Sequence, residues 1–173
     1  SETHGIETRV TNRTLRAREL FGADESVTWE EFQAYKFDLY YSKDSMAAGA
    51  RETMLNAPVP EDALMRQAVG IVRAWDLSTK PGNMNAALAI TAINSSEAKK
   101  ARPEGGTPEE NLMAQLADTA KRFKEKYGRL AIRWDTFNRI QKGSVDIGIG
   151  GGPDILHCVS PRYIEEGTRS KGR

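Results

Sequence analysis

The glycines of "SVDIGIGGGPDILH", residues 144–157, invite comparison with the loops that cradle phosphates. A dinucleotide fingerprint needs Gly-x-Gly-x-x-Gly at the opening of a helix, but counting from Gly148 and Gly150 the third position is Pro153. A P-loop needs Gly-Lys-Ser/Thr, and that tripeptide does not follow. The stretch reads instead as a strand, Val145 to Ile149, entering a glycine turn that Pro153 and Asp154 close.

Other chemistry-bearing residues are sparse. His4 and His157 stand at opposite ends of the chain, and neither has an acidic, thiol or imidazole neighbour at the i, i+4 spacing of a helical metal site. No metal and no cofactor are expected. Cys158 follows His157, but adjacent residues on a strand point to opposite faces, so a small buried thiol is expected rather than half of a dyad. Ser1 has the form of an N-terminal nucleophile, yet a processing remnant is the expectation for one residue at a chain start. Arg9, Arg13 and Arg16 follow i, i+4, i+7 spacing and, with Arg18 nearby, could meet an anion; a solvated or ion-paired face is the commoner outcome.

Composition excludes some partners. Lys and Arg number 25 against 24 Asp and Glu, and a net charge of +1 supplies no field to collect nucleic acid or an anionic membrane. No run of about 18 apolar residues occurs, and "SETHGIETRV" has neither the basic nor the apolar region of an export signal, so a soluble chain is expected. One cysteine permits no intramolecular disulfide, and 173 residues suffice for one domain with a core.

The elements that must position these residues read mostly as helix. "NRTLRARELF" predicts a helix from Asn12 to Phe21, stopped at Gly22. Thr28 and Glu31 form a capping box for a second, from Trp29 to about Asp38. Ser42 or Asp44 caps a third over "SMAAGARETMLN", and Pro60 opens a fourth carrying Leu64, Ala68, Ile71 and Trp75 to about Asp76. "MNAALAITAIN" predicts a helix buried on most sides, with a strand as the alternative. "SSEAKKARPEGGT" reads as a loop, and Thr107 with Pro108 opens a long helix that Gly128 ends, with Leu112, Leu116, Phe123 and Tyr127 as its apolar stripe. "LAIRWDTFNRIQKG" reads as a short strand or helical turn, "VDIGIG" as a strand, and "EEGTRSKGR" as a polar tail. The map is a helical block over 1–94, a loop over 95–107, and a long helix, strand and glycine turn over 108–173, with a single domain expected.

Four phrases occur in a telling order: "ETRVTNRTLRARELFGADESVTWEEFQAYKFD", "IVRAWDLST", "AKRFKEKYG" and "VDIGIGGGPDILH". Their markers are Asn12-Arg13, Ala74-Trp75-Asp76, Lys126-Tyr127-Gly128 and Gly150-Gly151-Gly152-Pro153-Asp154. Together they resemble the later part of the large subunit of the penicillin acylase family of N-terminal nucleophile hydrolases, which includes acyl-homoserine lactone acylases. In that family an autocatalytically exposed serine attacks the acyl carbon, its α-amine serves as base, and an oxyanion hole holds the intermediate.

The resemblance implies that the nucleophile and the oxyanion asparagine lie upstream of the matching region, so that no nucleophile is present in this chain and Ser1 does not inherit the role. It places on Arg13 the arginine that stands near them, with electrostatic support of acyl transfer as its role, and Arg9 as the alternative one turn earlier. The expected fold is mainly α with a few short strands, a helical segment of an α/β/β/α hydrolase. The expected function is a segment, inactive alone, of an enzyme that cleaves the amide of a small N-acylated amine. Its partner is the remainder of the acylase, in the periplasm or secreted, and the isolated segment is expected to self-associate. The rival expectation is a stand-alone helical binding module without catalysis.

Overall fold

The computed structural model describes residues 10–22 and 24–158. Ser1, His4, Arg9 and the polar tail therefore lie outside the described residues. Those described are mainly helical: α1 (Asn12–Phe21), α2 (Trp29–Lys36), α3 (Met46–Asn56), α4 (Ala63–Ala74), α5 (Ala86–Asn94), α6 (Ser96–Lys100), α7 (Pro108–Tyr127) and α8 (Trp134–Phe137), then a hairpin of β1 (Arg139–Lys142) and β2 (Val145–Gly148).

Helix starts follow side chains that satisfy free backbone N–H groups. Thr28 and Thr107 each form a capping box with the glutamate three residues on, and Gly128 ends α7 at φ 69°, where a Cβ would be strained. Two expected starts shift, and one helix forms where none is expected. Ser45, whose hydroxyl accepts from Ala48 N–H, caps α3 in place of Ser42 or Asp44. Asp62, accepting from Met65 N–H at 2.8 Å, caps α4, so Pro60 precedes that helix instead of opening it. Ser95 caps α6 inside the stretch expected to be a loop, where Ala98 is buried and Lys100 pairs with Glu97. The loop proper begins after Lys100.

α5 is the centre of the packing. Ala86 through Ala92 are all buried, and the helix touches α3, α4, α6, α7 and α8. Its alanines let neighbouring helices approach closely, which resolves the strand alternative in favour of helix. α7 lays Leu116, Ala120 and Phe123 against it, while Tyr127 at the end of the expected stripe is partly exposed. On α4 the buried face is wider than expected, with Met65, Val69 and Val72 joining Ala68 and Ile71. One apolar cluster extends from Tyr41 through Trp75, Leu88, Leu116 and Trp134 to Ile155.

β1 and β2 pair antiparallel, Ile140 opposite Ile147, through the two-residue loop Gly143-Ser144 with Gly143 at φ 60°. "LAIRWDTFNRIQKG" thus contains both alternatives, a helical turn and then a strand. Replacing Leu116, fully buried, by Ala should lower unfolding free energy by about 2–5 kcal/mol. Ile147→Thr, on the exposed hairpin face, should change it by less than about 0.5 kcal/mol. Urea denaturation of both variants measures the contrast.

Candidate functional site

Arg13 belongs to the first turn of α1, and α1 has an unusual attachment: Asn12 is its one buried residue. Hydrogen bonds and ion pairs, more than apolar burial, must hold the helix. The Thr11 hydroxyl accepts from Thr14 N–H and starts it. Asn12 then joins three distant parts of the chain. Its backbone N–H donates to Asp154 Oδ2 at 2.9 Å, its Nδ2 donates to Asp154 O at 2.7 Å, and its Oδ1 accepts from Ser42 N–H at 2.7 Å. Only one orientation of the amide satisfies a donor and an acceptor at once, so this network fixes it.

Asp154 is delivered by the glycine turn. Gly151 N–H donates to Thr79 O, and Gly151 O accepts from Trp134 Nε1 at 2.7 Å and Asn138 Nδ2 at 3.1 Å. A Cβ on Gly152 would stand 3.2 Å from Thr79 Cγ2, and Gly151 has φ 92°, so both positions suit glycine. Pro153 O accepts from Tyr41 Oη at 2.7 Å. Burial pushes the Tyr41 phenol up, and the Asp154 charge adds to the effect, so the hydroxyl stays a donor. The expected turn is therefore a docking surface that presents a carboxylate to the start of α1, where the helix dipole favours it.

Arg13 Nε lies 3.5 Å from Asp154 Oδ1, with both side chains about half exposed. Beside it is a shallow groove of about 610 Å³ lined by Arg13, Thr14, Ala17, Arg18, Phe21 and Leu156. Arg16 points elsewhere. It forks onto Asp38 through Nε at 3.1 Å and Nη2 at 2.7 Å and also pairs with Glu19. The Asp38 hydrogen bond raises its pKa against the opposing effect of burial, with Glu19 adding to the rise. Burial works to raise the Glu19 pKa, but hydrogen bonds from Ser42 and Arg16 outweigh it and hold the carboxyl below its usual range. Ser42, expected as a helix cap, is instead fully buried between Asn12 and Glu19, to which its hydroxyl donates at 2.5 Å.

No family model matches the sequence, and no curated protein matches it. The site therefore rests on geometry. Among the described residues no group of three or more His, Cys, Asp or Glu side chains is arranged to hold a metal ion, and no helix is long and apolar enough to cross a membrane. Cys158 corrects an expectation, being exposed where a buried thiol was foreseen, because it follows the turn that ends the core at Ile155. His157 packs its ring against Phe37 at 5.4 Å. In the sequence Asp154 reads only as part of a turn and Asn12 only as the start of a helix; their pairing spans 142 positions and carries no local signal.

Asn12→Ala removes two side-chain hydrogen bonds and leaves the buried Ser42 N–H without its acceptor, which should cost about 2–4 kcal/mol. Urea denaturation, with faster hydrogen exchange at the Ser42 amide, checks it. Glu19 has a lowered folded pKa, so its stabilisation is present above the usual glutamate range and is lost as pH falls through the lowered value. Glu19→Gln should flatten the fall of stability below about pH 5, measured by thermal melts over the acid range.

Proposed function

We propose that this chain is a segment of a penicillin-acylase-type amidohydrolase. Its parent cleaves the amide of an N-acyl substrate, of penicillin or acyl-homoserine lactone type, by attack of an N-terminal serine that this chain does not supply. One observation carries the reading: Asn12-Arg13 and Pro153-Asp154, two of the motifs on which the resemblance stands, meet in space and form one polar cluster.

Arg13 suits the supporting role. A guanidinium keeps its charge at every working pH and offers planar donors to an oxygen that gains charge in acyl transfer. Its half-exposed head is open to a group from another part of the enzyme. The remainder of the acylase is the partner, and an exported enzyme is the setting we assign.

Exposed apolar surface favours a covering partner. Trp29 and Phe32 stack on each other with Trp29 68% exposed, and Ile140, Val145 and Ile147 lie open on the hairpin. The same surface is what a stand-alone binding module would use, which is the second reading, and self-association of the isolated segment follows from either.

Assay of the complete gene product for amine release from N-acyl substrates separates them. Acylase activity is expected, with Arg13→Ala lowering kcat by about 10²–10³-fold. An inactive complete product, or full activity in Arg13→Ala, would overturn the reading.

A further inference from the structure

We infer that Asp154 is a positioning residue for Arg13: its carboxylate sets the direction in which the guanidinium presents its terminal amino groups. The inference rests on the role given to Arg13 above.

Stability does not account for the pair. With side chains 54% and 44% exposed and a separation of 3.5 Å, such a contact adds little to stability. The effort the fold puts into placing Asp154 is out of proportion to that. Asp154 has φ 58°, a left-handed conformation that costs a non-glycine residue energy and persists only where surroundings impose it. Those surroundings are specific. Asn12 holds the residue at both its backbone oxygen and Oδ2, buried Tyr41 holds the preceding carbonyl, and Ile155 on the other side is fully buried. Oδ1 is thus a fixed point in space.

Arg13 meets that point through Nε. A guanidinium is planar, so a carboxylate oxygen facing its Nε edge biases the direction of the whole fork toward presenting Nη1 and Nη2 to another acceptor. The Arg13 backbone is equally constrained, lying in the capped first turn of α1 directly after Asn12. A long side chain that would otherwise sample many rotamers has a fixed carboxylate beside its Nε before any substrate arrives, which biases it toward the orientation a preorganised electrostatic group requires.

Asp154→Asn separates positioning from capping. Asn tolerates the left-handed conformation and keeps an oxygen for Asn12 N–H, while the charge facing Arg13 is lost. In the complete enzyme this variant should lower kcat roughly 10–100-fold with KM and Tm little changed, and should add nothing in an Arg13→Ala background. Unchanged kcat, or additive loss in the double variant, overturns the inference. Relaxation of the ¹⁵N-labelled Arg13 Nε–H in this chain gives a reading independent of catalysis. An ordered signal that becomes averaged in Asp154→Asn supports positioning, and equal mobility in both overturns it. If the complete enzyme shows no acylase activity, the functional reading fails while the relaxation experiment still decides whether Asp154 orients Arg13.

Discussion

One side-chain amide, that of Asn12, has each of its functions assigned: an oxygen to Ser42 and a nitrogen to Asp154, with the residue's own N–H returning to the same aspartate. The placement of α1 depends on it because the helix buries no apolar residue that could substitute. Buried polar contacts of this kind are directional, and removal of one member leaves the others desolvated and unpaired. Apolar packing tolerates small slides of a helix, whereas this arrangement does not. The direction of α1, and with it of Arg13, is set by hydrogen-bond geometry.

The glycine turn supports that arrangement from below. Trp134 and Asn138, both fully buried, bond to Gly151 O, and Tyr41 bonds to Pro153 O, so the turn is tied into the same core that α5 and α7 form. Core packing, turn and helix start are successive layers of one support. The second polar cluster, Arg16 with Asp38 and Glu19, ties the middle of α1 to the segment that also carries Ser42.

Local signals were legible in the sequence wherever the physics is local. The capping boxes at Thr28 and Thr107 and the glycine stop at 128 fixed helix ends within a few residues. Choices among neighbouring polar residues were not legible: Ser42, Asp44 and Ser45 can all cap, and tertiary demand for Ser42 as a bridge decided among them. Helix α6 escaped notice because its five residues carry little periodicity and Ala98 alone is buried. The resemblance alone points to Arg13, and its contact with Asp154 carries no sequence signal, since no window on the sequence spans that distance.

The contact between Asn12 and Asp154 also brings the polypeptide back to where its described part starts. Between these two positions lie all eight helices and the hairpin, apart from the first residue of α1 itself. In folding, the same closure joins positions 142 apart, and its entropic cost grows only with the logarithm of the loop. The helical core can therefore assemble first and the two ends lock together as a late step.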